Sequence, residues 1–248
     1  MQSSENCDTI RSERESERLF EKDMELKVIA KIHTGFPEKF GIPRQSGLVE
    51  GLLGKIVFEP SYRTPEALRG IDGFSHLWLL WGFSKVTRSG WSATVAPPRL
   101  GGKKKMGVFA TRSPYRPNPV GLSSVKLERV EEDPLLGTVL WVSGIDMLDG
   151  TPIYDIKPYL PYSDCRADAT GGFGEEVRSH RLQVEFPPHL LEQIPEGERK
   201  NIIAILEQDP RTAYIHDDTR EWGVTYGGFN VLFGVKDDRL TVCGVEIL

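Results

Sequence analysis

The chain is poor in cysteine and has no long apolar stretch. Its three cysteines, Cys7, Cys165 and Cys243, are scattered, and no pair of them has the spacing of metal ligands. We interpret them as reduced thiols in a cytoplasmic protein, with no metal site. No apolar run approaches the roughly 18 residues that span a membrane, and the polar N-terminus lacks a secretory signal pattern. These absences argue against a disulfide-rich secreted protein and against a membrane protein.

Familiar nucleotide-binding motifs are missing as well. The sequence has no GxGxxG between a strand and a helix, no P-loop and no cluster of cysteine and histidine. The pattern therefore argues against a Rossmann-type nucleotide-binding domain and against a kinase.

Acidic residues are absent from one long segment. Between Gly73 and Lys126 there is no aspartate or glutamate, although the whole chain has a net charge of -5. The basic residues of this segment are Lys85, Arg88, Arg99, Lys103, Lys104, Lys105, Arg112, Arg116 and Lys126. Such segregation predicts a local anion-binding surface on an otherwise acidic protein. The alternative is a solvated basic face that has no partner.

The hydrophobic pattern divides the 248 residues into three regions. Residues 1–25 are charged and predict a short, solvated helical extension. Residues 26–164 predict a mainly β fold, an antiparallel β-barrel, because short strand patterns recur without intervening helices. The predicted strands are 26–33, 54–58, 77–83, 106–111, 124–130, 137–143 and 153–156. The continuously apolar run 77–83 indicates a strand that is buried on both faces.

Residues 165–248 predict a small α+β domain that follows the barrel. A polar, glycine-containing stretch at about residues 164–176 is interpreted as the linker. The predicted elements are a strand at 182–186, a mainly helical stretch at 188–208 interrupted near Pro195, and a terminal pair of strands at 221–235 and 240–248.

The most distinctive motif is the proline-rich loop at residues 112–122. Its three prolines fix φ and remove backbone donors, which lowers the entropy cost of holding the loop in one geometry. Arg112 and Arg116 then project from a rigid support, and an aromatic residue lies between them. This combination suits the binding of a nucleotide or a carboxylate. The alternative is a proline-stiffened barrel corner, which needs neither arginine.

Other polar and basic residues are candidates for ligand contacts. Arg44 offers a planar fork for an anion, and Gln45 can read an adenine edge, although a surface arginine is an equally good interpretation. Arg99, Lys103, Lys104 and Lys105 are candidates for contact with nucleic-acid phosphates, with nonspecific charge as the alternative.

Two further motifs combine turn residues with reactive groups. Asp149 and Gly150 predict a turn between strands, and a turn alone is one interpretation of this motif. The other is that its three aspartates, Asp146, Asp149 and Asp155, and Lys157 lie near one rim of the barrel and offer acceptors for ribose hydroxyls or for a proton. Arg211 and Tyr214 pair a cation with a stacking face, which suits RNA; a helix C-terminal turn is the alternative.

Six segments of the chain together resemble one known family. They are IPRQSGLV, GFSHLWLL, PPRLGG, GVFATRSPYRPNPVGLS, DMLDGTPIYDIKPYLPY and DPRTAY. These motifs are similar to those of the TsaA-like (TrmO) family of tRNA methyltransferases. The similarity is dense over residues 26–162, thinner in the C-terminal part, and does not include residues 1–25.

The resemblance implies a β-barrel enzyme that works as a homodimer and binds S-adenosyl-L-methionine near the subunit interface. It implies methylation of N6 of N6-threonylcarbamoyladenosine, beside the tRNA anticodon. The cofactor contacts implied by the matching motifs are Pro43, Arg44, Gln45, Phe83, Ser84, Arg112, Leu122, Asp149, Gly150, Thr151 and Pro152. Some family members have histidine where this chain has Ser84, so only a backbone contact carries over at that position.

We therefore expect direct methyl transfer that needs no metal and depends mostly on orientation. Asp149 or Asp155 is nominated as the base that takes the N6 proton. Arg112 or Arg116 is expected to hold the threonyl carboxylate of the substrate. The residue pattern leaves two alternatives open: a non-catalytic RNA-binding β-barrel, and an enzyme that acts on a small nucleotide-like metabolite.

Overall fold

The computed structural model describes residues 25–85, 90–97, 104–176, 180–211 and 217–248. The predicted N-terminal helical extension lies outside these ranges, apart from Glu25. The strands are β1 (Ala30–Thr34), β2 (Leu53–Phe58), β3 (His76–Gly82), β4 (Thr94–Val95), β5 (Met106–Gly107), β6 (Val120–Asp133), β7 (Gly137–Ser143), β8 (Thr151–Pro158), β9 (Gln183–Glu185), β10 (Trp222–Tyr226), β11 (Phe229–Lys236) and β12 (Arg239–Ile247). The α-helices are α1 (Pro161–Asp164), α2 (Phe173–Glu176), α3 (Pro188–Leu191) and α4 (Glu196–Glu207).

Six strands close into an antiparallel barrel in the order β1-β2-β7-β6-β3-β8. The mainly β fold class and the predicted barrel are confirmed. Alternation along each strand places one set of side chains in the interior, as β1 shows with Ala30 and Ile32 buried and Lys31 and His33 exposed. Each of these six described strands pairs with a neighbour on both sides, so side chains from all six fill the interior.

The interpretation of residues 77–83 as a strand buried on both faces is wrong. In β3, Leu77, Leu79 and Trp81 are buried inside the barrel, whereas Trp78 and Leu80 on the outer face are partly exposed. Trp78 Nε1 donates to Asp164 Oδ2 at 2.9 Å. On the outer face the ring of Trp78 also packs on Tyr159, so this face is covered in part, and a continuous apolar run does not distinguish full from partial cover.

The predicted strand at 106–111 is also shorter than expected. Only Met106–Gly107 is a strand, and a 3-10 turn at Val108–Ala110 follows it. Strands β4 and β5 pair through Thr94↔Gly107 and Val95↔Met106 into a two-stranded ribbon outside the barrel. We call the described residues of this hairpin, 90–97 and 104–110, the ribbon.

The C-terminal part forms a mixed four-stranded sheet in the order β10-β11-β12-β9, with helix α4 against it. The apolar pattern predicts one strand over 221–235, but this segment is a hairpin that turns at Gly227 and Gly228, with φ of 60° and 86°. Two successive positive φ values are the signature of a type I′ turn, and glycine adopts them without strain. The predicted turn at Asp237 is confirmed.

The C-terminal sheet packs against the loop that follows β1. The rings of Phe36 and Tyr226 have centroids 4.8 Å apart, and Phe40 stacks on Trp222 at 5.7 Å. The Gly227 amide donates to the Gly35 carbonyl at 2.9 Å. Buried residues of the barrel and of the sheet form one continuous hydrophobic cluster, so the two parts pack as one body. The predicted division at residues 164 and 165 stays a prediction.

Candidate functional site

The strand order brings motif-bearing segments of three inter-strand connections to one end of the barrel. Because neighbouring strands are antiparallel, β1, β3 and β7 end where β2, β6 and β8 begin. We call this end the upper rim. The segments that converge there are residues 35–46, residues 83–85, residues 111–119 and residues 144–150. The predicted cofactor contacts at 43–45, 83–84, 112 and 149–152 all lie on or beside them.

The loop with Pro43, Arg44 and Gln45 is attached to two other segments. Pro43 is buried, and Arg44 Nη2 donates to the carbonyl of Arg211 at 3.0 Å, which links the loop to the C-terminal part. The Gln45 side-chain oxygen accepts a hydrogen bond from Arg112. The structure therefore brings the two predicted anion-binding arginines, Arg44 and Arg112, to the same rim through loops that are far apart in sequence.

Asp149 ties the turn after β7 to the end of β1. Its Oδ1 accepts from the Thr34 amide at 3.0 Å and lies 3.2 Å from His33 Nδ1. Its own amide donates to the Phe36 carbonyl at 2.8 Å. The Asp149 side chain is nevertheless about half exposed (48%), so the carboxylate is accessible to a ligand. Gly150 adopts φ 71° and has open space where a side chain would stand.

The loop after β3 and the start of β6 form another part of the rim. The Phe83 ring packs on Trp81 with centroids 4.5 Å apart, and the Phe83 amide donates to the Pro119 carbonyl at 3.1 Å. Ser84 is exposed. Leu122 is on the outer face of β6, where 54% of its surface is exposed and offers an apolar patch near the rim.

Asp146 is one of the three aspartates predicted near one rim of the barrel, but the sequence assigns it no individual role. Its Oδ1 accepts a 2.6 Å hydrogen bond from Ser123 Oγ, which in turn accepts from Trp81 Nε1 at 2.9 Å. The Ser46 amide also donates to Asp146. Burial raises the pKa of Asp146 to about 6, against the hydrogen bonds from Ser123 and Ser46 and the positive charge of Arg112. Its sequence signal is a lone carboxylate between two apolar residues after a buried strand.

Two predicted residues are held in local interactions. Arg116 Nη2 donates to the carbonyls of Thr111 at 3.1 Å and Val108 at 3.4 Å, so this arginine braces the 3-10 turn before the proline-rich loop. The expectation that Arg116 projects from the loop is wrong, because its side chain is partly buried against it. Asp155 Oδ2 forms an ion pair with Lys157 Nζ at 2.8 Å, and its Oδ1 accepts from the Ile156 amide.

The predicted tRNA contacts lie in two places. Lys104 and Lys105 are exposed on the ribbon. Arg211 is partly buried, and its guanidinium forms two hydrogen bonds with Asp209, at 2.9 and 3.1 Å. The candidates Arg99, Lys103 and Tyr214 lie outside the described residues.

The chemistry of the rim fits a zwitterionic nucleoside ligand. Arg44 and Arg112 supply cations for a carboxylate, Asp149 supplies an acceptor for hydroxyl or ammonium groups, and Leu122 supplies apolar surface. S-adenosyl-L-methionine carries groups that match each of these. Within the described ranges, no three histidine, cysteine, aspartate or glutamate residues are grouped so that they could hold a metal ion.

Two family models match the chain and together cover the barrel and the C-terminal sheet. Residues 31–165 match the N-terminal domain of tRNA-methyltransferase O, and residues 179–247 match the TrmO C-terminal domain. The chain belongs to the TrmO family. The family resemblance expected from the six sequence motifs is confirmed.

Relatives in the TrmO family cover most of this chain. It is 38% identical over 228 residues to a tRNA (adenine(37)-N6)-methyltransferase of Escherichia coli K12, covering 84% of this chain and 96% of that protein. It is 42% identical over 204 residues to a putative S-adenosylmethionine-dependent methyltransferase of Pseudomonas aeruginosa, and the match covers 79% of this chain and 86% of that protein. A crystal structure of TrmO from P. aeruginosa superposes with a TM-score of 0.74 at 35% identity, covering 91% of this chain and 97% of that one.

The helices of this TrmO family member are short or polar. In the part of the chain that the structure describes, no helix combines the length and apolar character needed to cross a bilayer.

Proposed function

We propose that this chain transfers the methyl group of S-adenosyl-L-methionine to N6 of the adenine beside the tRNA anticodon, position 37. The observation that carries the proposal is the convergence of the family motifs on one rim: Arg44 and Gln45, Arg112, and Asp149 come from three separate loops. The relatives named as tRNA (adenine(37)-N6)-methyltransferases support the reaction and the position of the target base.

The proposed substrate form is N6-threonylcarbamoyladenosine. Its N6 is conjugated with both the purine ring and the carbamoyl carbonyl, so it is a weak nucleophile, and its threonyl group adds a carboxylate. A rigid arginine near the target base suits that carboxylate. Of the two predicted arginines, Arg112 is the better candidate, because it is exposed at the rim while Arg116 is engaged with backbone carbonyls.

The cofactor is proposed to lie on the upper rim. Arg44 and Gln45, with the backbone after Pro43, would hold one end, and the turn from Asp149 to Pro152 would hold the other. Phe83, Ser84 and Leu122 would line the side formed by β3 and β6. When bound, S-adenosyl-L-methionine supplies a methyl group on a sulfonium, which is already an activated electrophile and needs no metal.

The protein's contribution is mainly to orient the two reactants, an effect that supplies several kcal/mol. Asp149 is our candidate for the proton acceptor, because its carboxylate is at the rim and about half exposed. Asp155 is the weaker candidate, since it is in β8 and is already paired with Lys157.

The tRNA is proposed to approach along the ribbon and the proline-rich loop. Lys104 and Lys105 are exposed there, whereas the charge of Arg211 is balanced by its ion pair with Asp209. The anticodon stem-loop presents closely spaced phosphates, so these cations would raise both affinity and association rate at low salt.

We also propose that the active form is a homodimer, as the family resemblance implies. Light scattering on the purified chain at micromolar concentration tests this directly. A mass of twice the monomer, 27.9 kDa per chain, supports the proposal, and a monomer that is fully active at nanomolar concentration contradicts it.

The function itself is tested with tRNA from a strain that lacks this methyltransferase. The purified chain and S-adenosyl-L-methionine are incubated with that tRNA, and its nucleosides are examined by mass spectrometry. A methyl group added to threonylcarbamoyladenosine is expected. Matched reactions use tRNA that lacks the threonylcarbamoyl group, and RNase-treated tRNA. Methyl transfer to a free nucleoside but not to intact tRNA would contradict the proposal.

A further inference from the structure

Two large aromatic side chains are exposed side by side on the ribbon. Trp91 is 54% exposed and Phe109 is 76% exposed. Their ring centroids are 6.5 Å apart, and the planes of the rings differ by 20°. Single exposed apolar residues are ordinary in proteins, but two nearly parallel aromatic faces on a projecting element leave a continuous apolar surface in water.

The backbone that carries this aromatic pair is well supported. The Ser92 amide donates to the Tyr115 carbonyl at 3.1 Å, and the Val108 amide donates to the Ala93 carbonyl at 3.0 Å. The Val108 carbonyl also accepts from the side chains of Arg116 and Thr111, which braces the turn that includes Phe109. The proline-rich loop therefore supports the ribbon, and the two rings project from a defined backbone.

The electrostatic surroundings of the pair favour a polyanion. Lys104 and Lys105 are exposed on the same ribbon, and Arg112 follows Phe109 by three residues. The sequence contains no acidic residue between Gly73 and Lys126. A partner that matches both features carries closely spaced negative charges together with flat apolar faces, and single-stranded RNA has both.

We propose that Trp91 and Phe109 are a stacking platform for an unpaired base of the anticodon loop, beside the base that enters the upper rim. This inference rests on the proposed function and adds the residues that bind the loop of the substrate. Stacking on aromatic rings tolerates different bases, so the platform would position the loop without reading its sequence.

A second copy of this chain is a less suitable occupant of the pair. A twofold interface places the same patch of each copy against the other. Here it would bring Lys104 and Lys105 of both copies into one small area that has no acidic residue nearby in sequence, and like charges at short distance oppose association.

The platform is tested by binding, separately from catalysis. Trp91→Ala and Phe109→Ala are compared with Leu135→Ala, which removes an 88% exposed apolar residue at the opposite end of the barrel. The probe is a synthetic anticodon stem-loop, titrated by fluorescence anisotropy. Loss of one stacked base is expected to raise the Kd roughly 5- to 100-fold in each platform variant. Phe109→Tyr, which keeps the aromatic face, is expected to bind within about 2-fold of the parent protein.

Further measurements separate loss of the stacking contact from other effects of the substitutions. The Kd for S-adenosyl-L-methionine and the thermal midpoint are expected to be unchanged in Trp91→Ala and Phe109→Ala. With 2-aminopurine in the loop, fluorescence quenching on binding is expected for the parent protein and reduced for both variants. Unchanged RNA affinity in both variants, or conversion of a dimer to a monomer on light scattering, would overturn the platform. Failure of methyl transfer with intact stem-loop binding would instead overturn the proposed function.

Discussion

Gln45 and Arg112 are 67 residues apart in the chain, and their side chains are hydrogen-bonded at the upper rim. The arginine therefore has two proposed roles: it supplies positive charge, and it holds the loop of Gln45 in place. Charged hydrogen bonds of this kind contribute more than neutral ones, and a planar guanidinium binds a carboxylate through two parallel bonds.

We predict that Arg112→Ala raises the Kd for S-adenosyl-L-methionine roughly 10- to 100-fold, because Gln45 in the proposed cofactor loop loses its charged hydrogen bond. Arg112→Lys is expected to recover only part of the affinity, because an ammonium lacks the fork. Isothermal titration calorimetry measures both. Arg239→Ala, at the distant turn of the C-terminal sheet, is the matched control. Equal Kd values for S-adenosyl-L-methionine in Arg112→Ala and Arg239→Ala would contradict a role of Arg112 in cofactor binding.

Asp149→Asn separates catalysis from cofactor binding. The amide oxygen of asparagine still accepts from the Thr34 amide, but the group no longer takes up a proton. If Asp149 is the proton acceptor, kcat falls at least roughly 100-fold with little change in cofactor Kd. Asp155→Asn is expected to stay within a few-fold of the parent, because its carboxylate is paired with Lys157. An effect confined to cofactor Kd would assign Asp149 to binding alone.

Asp146 makes the free energy of unfolding depend on pH, and its raised pKa determines the direction of that dependence. Its pKa is raised from 3.8 to about 6 by burial, so the folded protein keeps this proton over an interval in which the unfolded chain releases it. The contribution of this group to the free energy of unfolding is therefore fully present below about pH 4, the pKa of the unfolded chain. It is lost as the pH rises through about 6.

We predict that Asp146→Asn gains stability relative to the parent protein when the pH is raised from 4 to 7, by on the order of 2 to 3 kcal/mol. The measurement is urea unfolding at both pH values. Asp72→Asn, which replaces an exposed carboxylate at the opposite end of the barrel, is the control and is expected to show a much smaller difference. A stability difference for Asp146→Asn that is the same at both pH values would be the contrary result.

At the level of structural elements, the loop of residues 35–46 is the clearest link between the barrel and the C-terminal sheet. Phe36 and Phe40 pack on Tyr226 and Trp222. Gly41 has φ 92°, and a Cβ there would be 2.7 Å from a Cγ of the β10 residue Val224. The sheet therefore acts as a support for the loop that holds the predicted cofactor contacts at 43–45.

A comparison of Gly41→Ala with Gly47→Ala tests how much the close packing of this loop against the C-terminal sheet contributes to stability. Both positions have positive φ, which costs about 1 to 2 kcal/mol for alanine, but only Gly41 has a close neighbour. We predict a larger loss of unfolding free energy for Gly41→Ala, together with a raised cofactor Kd. Val224→Ala added to Gly41→Ala should recover part of the loss, so the double variant is less unstable than the sum of the single ones. If urea unfolding shows that the losses of unfolding free energy from Gly41→Ala and Val224→Ala simply add, the close packing of residue 41 against Val224 is excluded.

Elements differ in how far their sequence alone predicts them. The pattern predicts strand β7 with its observed ends, and β2 to within one residue, because their alternation and flanking glycines are local signals. Strand β6 extends beyond its predicted ends, since pairing with β3 and β7 stabilises residues of weak strand propensity. The hairpin at Gly227 and Gly228 has a local signal, the Gly-Gly pair, which the apolar pattern on either side of it conceals.

Across the whole molecule, one long segment carries only basic charged residues, although the net charge of the chain is negative. The acid-free segment provides the ribbon and the proline-rich loop, while the acidic residues are elsewhere in the chain. A net charge of -5 opposes nonspecific binding to nucleic acid, so the local patch must provide the attraction.

We predict that binding of the anticodon stem-loop weakens steeply with salt, and that replacing both Lys104 and Lys105 by alanine makes the dependence shallower. Removing one lysine–phosphate interaction reduces the slope of log Kd against log salt by about 0.7 to 0.9. Anisotropy titrations at several salt concentrations measure it. Lys236→Ala, in the C-terminal sheet, is the control. Parallel salt plots for the parent protein and the double variant would remove these lysines from the interface.

The amino-acid sequence alone is enough to predict the family, the β-barrel class and the residue types of the site, because motifs, alternation and turn residues are local properties of the chain. Which of these residues meet depends on the fold. The order β1-β2-β7-β6-β3-β8 pairs strands that are distant in sequence, and closure of that sheet brings three inter-strand connections to one rim. The raised pKa of Asp146 and the engagement of Arg116 with backbone carbonyls arise in the same way, because burial and hydrogen bonding depend on neighbours that are not adjacent in the chain.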